Sequence, residues 1–168
     1  MIKSERCQFL VETVDLEQAT GVVGARWEYF QLAHLNDDST FRIEDKARQI
    51  AWSWLSAAEA VAEALLYQRD SVFVSINQEE AKEKIRYART IFDALRPDIR
   101  QRVKLLRDNE LGIEFGNGAR LNSLPARPPR GRARSNVYLD EFAHVARDRQ
   151  IYTAALPIIS KGGRLRIG

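Results

Sequence analysis

The sequence predicts an α/β fold, a mostly parallel sheet flanked by helices, on three observations. Short apolar, β-branched stretches alternate along the chain with longer helical ones, the strand–helix order of a parallel sheet with helices on both faces. The 168 residues are 45% hydrophobic and 29% charged, an ordinary balance for one globular domain that buries its own core. The single cysteine, Cys7, excludes an intramolecular disulfide framework, and two histidines support no Cys/His zinc cage. No apolar run approaches the roughly 20 residues of a membrane helix. The opening MIKSERCQFLVETVD carries charges where a signal peptide has its apolar stretch. A cytoplasmic chain without membrane attachment is expected.

Each element follows from local pattern. Residues 1–24 form an N-terminal segment ahead of one domain over 25–168. An amphipathic helix is predicted over 25–35, broken by Asn36-Asp37-Asp38-Ser39. Residues 40–44 alternate Phe41, Arg42, Ile43 and Glu44 as a short strand does. Residues 53–68, SWLSAAEAVAEALLYQ, are rich in helix formers. The run 71–76, SVFVSI, reads as a buried strand. Asn77 can cap a helix that continues to Arg96 and ends at Pro97. Short strands follow over 102–106, 111–115 and 119–124, with Gly116-Asn117-Gly118 as a tight turn. Residues 125–135 hold three prolines and form a loop. A strand over 136–139, a helix within 143–159 and a last strand from 165 complete the order.

The formal charge is +3, but its distribution is uneven: residues 115–139 contain five arginines (Arg120, Arg127, Arg130, Arg132, Arg134) and no acid. Such a stretch suits an anionic partner, and equally a solvated basic loop. Two strand ends carry chemistry. One is KARQIAWS, Lys46 to Ser53, between a strand and a strong helix; the other is VYLDE, an apolar strand closing on Asp140-Glu141. Ligands of open parallel sheets sit at carboxyl ends of strands, so the two sites can face one another. The logic is that of a nucleotide triphosphatase. A helix N-terminus favours phosphate, a lysine neutralises it, and a hydroxyl at the helix start ligates magnesium. An acid on a neighbouring strand holds the same ion, and a second acid orients water. The strict phosphate-loop pattern G-x-x-x-x-G-K-[ST] fails, because Lys46, Ala51 and Trp52 stand at its two glycines and its lysine. Lys46 can also be a surface lysine, Ser53 an ordinary N-cap and Asp140-Glu141 a cap with a first-turn acid.

Taken together, KARQIAWS, LDEFA, Ser123-Leu124-Pro125-Ala126, Arg130-Gly131 and the aromatic-Gln element Trp27-Glu28-Tyr29-Phe30-Gln31 resemble the ATPase domain of the large terminase subunit of tailed phages. That family carries a deviant phosphate loop, K-x-R-Q-x-G-x-S, matched here at Lys46, Arg48, Gln49 and Ser53. The resemblance covers about residues 24–168. It implies a P-loop NTPase-like fold of the ASCE type, incomplete at its C-terminus, with ATP and Mg2+ as cofactors. It implies nucleotide contacts from Lys46, Arg48, Gln49 and Ser53, with adenine recognition by Gln31. Magnesium placement by Ser53 and Asp140, water activation by Glu141 and a charge-stabilising Arg130 complete the implied set. Arg48 and Gln49 can instead only shape the loop, and Arg127, Arg132 and Arg134 compete with Arg130. The implied partners are double-stranded DNA, the portal and the small terminase subunit, in a homo-oligomeric ring inside a bacterial host cell.

Two departures matter. Ala51 replaces the family's glycine, and its Cβ opposes positive φ and crowds a phosphate. No acid follows Asp148, so no two-metal nuclease site is expected here, and the chain reads as a fragment of such a motor, from phage or prophage. The rival expectation is a degenerate, non-catalytic remnant that binds nucleic acid weakly and salt-sensitively. A helicase-like ATPase fits less well, because the loop begins with its lysine.

Overall fold

The computed structural model describes residues 2–47, 50–130 and 133–168. Three short N-terminal helices, α1 (Glu5–Thr13), α2 (Leu16–Thr20) and α3 (Tyr29–Asn36), precede strand β1 (Phe41–Ile43). Helix α4 (Trp52–Tyr67), β2 (Ser71–Ser75), α5 (Gln78–Asp93) and α6 (Pro97–Arg102) follow. Then come β3 (Leu105–Asn109), β4 (Gly112–Phe115), β5 (Arg120–Pro125), β6 (Asn136–Leu139), α7 (Asp148–Ile159) and β7 (Leu165–Ile167). The seven strands make one sheet in the order β1-β7-β6-β2-β5-β4-β3. The five from β1 to β5 are parallel, and β4 and β3 add an antiparallel edge.

Polar side chains set the helix starts. Ser4 accepts a hydrogen bond from the Cys7 amide, Asp15 from Gln18 and Asn77 from Glu80, each satisfying an amide the helix cannot. The expected helix over 25–35 begins only at Tyr29, where Gln31 accepts from the backbone amide of Glu28 in a capping box. The helix expected to reach Arg96 stops at Asp93, because a residue preceding proline avoids helical geometry. Pro97 instead opens α6 as its first residue, which moves the strand expected over 102–106 to Leu105–Asn109.

Side chains alternate across the sheet. Phe73, Tyr138 and Leu121 face a core built with α1, α4 and α5, which includes Cys7, Leu10, Leu55 and Ile85. Val74, Val137, Leu139 and Leu165 face α7 through Ile151, Ala155 and Ile158. Helix α4 is buried on nearly every side, as a helix wedged between a sheet and other helices must be. Ile43, Ile167 and Leu139 lie in register across β1, β7 and β6. The chain therefore leaves β1 and β6 at one level of the sheet, a single strand apart, and the loop carrying Lys46 meets the end carrying Asp140.

Candidate functional site

Where β6 ends, Asp140 is 3% exposed and its carboxylate is crowded. The Ser53 hydroxyl donates to its Oδ2 at 2.5 Å. The Lys84 ammonium lies 2.7 Å from the same oxygen, and the Lys46 ammonium lies 3.3 Å from Oδ1. Burial alone pushes this carboxyl upward. Lys84, the Ser53 hydroxyl and Lys46 outweigh it, and the group titrates below its ordinary value of 3.8. Oδ1 is buried and accepts no hydrogen bond. Its position suits a small hard cation, which takes carboxylate and hydroxyl oxygens together with those of a bound phosphate.

Ser53 is not the N-cap. Helix α4 starts one residue earlier, so Ser53 stands in its first turn and turns its hydroxyl to Asp140. Nor does Asp140 cap a helix; Glu141 holds that position before a short 3-10 turn over Phe142–His144, at φ +50°. The N-cap of α4 is Ala51, at φ +58°, ψ +27° and without any side-chain cap. The positive φ that a Cβ disfavours is thus present: the loop adopts the left-handed turn with an alanine in it. Left-handed geometry costs a non-glycine residue about 1–2 kcal/mol, and part of the gain from glycine is offset by its greater freedom when unfolded. Ala51→Gly is expected to raise stability by about 0.5–1 kcal/mol in a urea titration. Ala60→Gly, in the middle of α4, is expected to lower it by about 1 kcal/mol or more. Equal losses in the two variants would mean that Ala51 carries no strain.

Trp52 shapes the loop from below. Its indole N–H donates to Glu44, and the Lys46 ammonium stands 5.5 Å above its ring centroid. Burial opposes ionisation of Glu44, but His34, Arg42 and Trp52 hold its carboxyl below the ordinary value of 4.5. Gly168 closes against the Trp52 indole, where a Cβ would lie 2.5 Å from the ring.

Above these groups opens a cleft of about 530 Å³, within the range of small-molecule sites. Lys46, Ser53, Gln31 and Glu141 all line it, with the start of α4 on one wall and Leu16, Ala19, Tyr87 and Thr90 on another. The structure thus gathers four of the expected residues on one cleft, with Asp140 beneath. It does not bring Arg130 there: that side chain is exposed on the loop between β5 and β6 and is absent from the lining. Arg48 and Gln49 lie outside the described residues, as does Arg132 of the basic stretch. Sequence reasoning missed Lys84. Its signal was position: Ala81, Ile85, Ala88, Ile91 and Phe92 mark the buried face of α5, and Lys84 falls on that face.

Behind the cleft lies a second feature the sequence reading missed, a buried network of charges. Glu59 is fully buried and accepts from Arg42 at 2.9 Å and from Arg166 at 3.3 Å, with His34 Nε2 3.3 Å away. Glu63, one turn later on α4, binds Arg6 at 2.5 Å and also Arg164. Helix α1, α3, α4, β1 and β7 are tied together by these pairs, with His34 also bonded at 2.9 Å to Glu44 at the root of the loop.

Residues 45–167 match the family model described as terminase large subunit, T4likevirus-type, N-terminal. No curated protein matches the chain by sequence. Among solved structures, the large terminase of bacteriophage HK97 superposes with a TM-score of 0.71 at 15% identity, covering 97% of this chain and 37% of that one. The large terminase ATPase domain of Thermus phage P74-26 superposes with a TM-score of 0.65 at 16% identity, covering 86% and 66%. At such identities the likeness shows a shared fold, the P-loop ASCE α/β architecture. The chain spans about two thirds of the P74-26 domain and little more than a third of the HK97 protein.

Proposed function

We infer that this chain, which belongs to the family of T4-like terminase large subunits and matches the N-terminal part, binds ATP with magnesium in the cleft above Asp140 and serves as ATPase portion of a phage DNA-packaging motor. The observation that carries this reading is the meeting of Lys46, Ser53 and Asp140, with Ser53 and Asp140 87 residues apart in sequence, on one cleft that Gln31 and Glu141 also line.

Lys46 and the uncapped start of α4 supply the positive charge and free amides that hold phosphate oxygens. Ser53 and Asp140 supply the oxygens for magnesium, whose contribution when bound is to neutralise charge across the β- and γ-phosphates. Glu141, exposed at the rim, is placed to orient water and accept its proton. Gln31 uses its carbonyl oxygen within its own helix cap, which leaves its amide N–H groups to donate to a base. Arg48 and Gln49 extend the phosphate loop by the family pattern. Arg130, away from the cleft of its own chain, fits a role on a neighbour's nucleotide in a ring of subunits. With the other arginines of its loop, it equally fits contact with DNA phosphates. DNA, portal and small subunit are the partners this reading assigns to the complete motor. Among the described residues no helix is long and apolar enough to cross a membrane.

The remnant reading requires Ala51 and Trp52 to spoil the loop. The left-handed turn at Ala51, with Ser53 and Lys46 both on Asp140, favours an intact site instead. Equilibrium titration with ATP tests the choice. Binding that weakens by about tenfold or more when magnesium is chelated is expected from one lost charge-bearing ligand; binding indifferent to magnesium would contradict the assignment of Ser53 and Asp140.

A further inference from the structure

We propose that Lys84 is a built-in counter-cation of Asp140, a positioning residue that keeps the site closed to a free divalent cation and open to one that arrives with a nucleotide. The proposal rests on the nucleotide-site reading above.

Lys84 is 2% exposed, although every other charged residue of its helix is at least partly exposed. A buried ammonium persists only when paired, and its close partner is Asp140 Oδ2 at 2.7 Å. Glu80, one turn earlier and about half exposed, gives a second anchor at 3.2 Å. Oδ2 therefore already holds an ammonium and the Ser53 hydroxyl, while Oδ1 faces Lys46. Two ammonium groups surround one buried carboxylate. Glu141 beside it is exposed to solvent, where its charge is screened. A bare dication entering this spot meets two ammonium groups around a single buried carboxylate whose oxygens they already hold.

Among the described residues, no group of three or more His, Cys, Asp or Glu stands ready to hold a metal. Phosphate oxygens reverse that balance: they neutralise Lys46 and bring the remaining ligands of the cation. Lys84 then keeps Glu80, already bonded at 3.2 Å, as its partner. The residue thus sets an order in which nucleotide and cation enter together.

Mn2+ alone, without nucleotide, is the probe, with free Mn2+ read by its paramagnetic resonance signal. Wild type and Lys84→Arg are expected to bind it more weakly than about 1 mM, and Lys84→Met at least about tenfold more tightly. That gain should vanish in Lys84→Met combined with Asp140→Asn. Lys84→Met binding no more tightly than wild type, with near-ultraviolet circular dichroism showing it folded, overturns the proposal. Should Lys84→Met not fold, the wild-type chain decides. Mn2+ binding in the range of tens of micromolar, on the order of 6 kcal/mol, lost in Asp140→Asn, overturns the proposal; binding weaker than about 1 mM supports it. No nucleotide enters this titration, so a chain that fails to bind ATP sinks the functional reading and leaves the Mn2+ contrast to stand or fall separately.

Discussion

Glu59→Ala is expected to lower unfolding stability by about 3–5 kcal/mol, enough to remove much of the margin of a domain of this size. Glu59 accepts from Arg42 and Arg166 and lies 3.5 Å from Arg6. All three guanidinium groups are buried. Removing the carboxylate leaves them without their shared counter-ion, a cost much larger than the net worth of an intact buried pair. Glu59→Gln keeps the shape and a carbonyl acceptor but not the charge, and should fall between the two. A shift in urea midpoint at unchanged slope reads the effect; a loss under about 1 kcal/mol would mean that water or rearrangement compensates the arginines. The pH dependence has a definite sign. Burial opposes ionisation of Glu59, but His34, Arg166 and Arg42 hold its carboxyl well below its ordinary 4.5. Its stabilisation is therefore complete above about pH 4.5 and is lost as pH falls below that toward the folded-state value. Asp140, lowered from 3.8, adds a loss of the same sign at lower pH.

Glu141→Gln is expected to reduce ATP turnover by about 10²–10⁴-fold while leaving ATP affinity within about twofold. The side chain is exposed on the cleft, and Lys46 and Lys84 pair with Asp140 instead. The amide thus removes a proton acceptor without disturbing the groups that hold phosphate. Its left-handed backbone, φ +50°, is equally open to Glu and Gln, so the variant tests chemistry rather than folding. Phosphate release and nucleotide binding measured on the same preparation separate the two effects. Equal turnover in both proteins would remove Glu141 from the role of base.

The central part of the fold was legible because its signals are local. SVFVSI and NVYL are largely apolar, and they yield β2, which stops at Ser75, and β6. Asn77 precedes a strongly amphipathic segment and does cap it. The N-terminal segment was less legible. Helices α1 and α2 are short and charged, and they are fixed by caps and by packing of Cys7, Leu10 and Val14 against α4 and α5 rather than by propensity. The buried charges were hidden for a different reason. Arg42 and Arg166 each interrupt an apolar triplet, Phe-Arg-Ile and Leu-Arg-Ile, and read alone as outward-facing strand residues. Only the pairing of Arg42 with Arg166 across β1 and β7 places both over Glu59. Glu59 and Glu63, four apart in an alanine-rich helix, were the matching clue.

For the site, residue types and order identified the Lys46–Ser53 loop and the Asp140–Glu141 strand end. The strand order that sets them side by side is a property of the whole sheet. Ala51 marks the point where the two levels meet: the sequence shows a missing glycine, and the structure shows the left-handed turn made without it.

The most direct test of a nucleotide site at Lys46 is thermal unfolding with ATP and magnesium, wild type beside Lys46→Ala. At about 100 times its dissociation constant, a ligand adds roughly 2.7 kcal/mol, which raises the midpoint of a domain this size by about 5–10 °C. That rise is expected in wild type, with dependence on magnesium and loss in Lys46→Ala. A folded wild-type chain whose melting ATP does not move, or a rise that Lys46→Ala retains in full, would contradict a nucleotide site at Lys46.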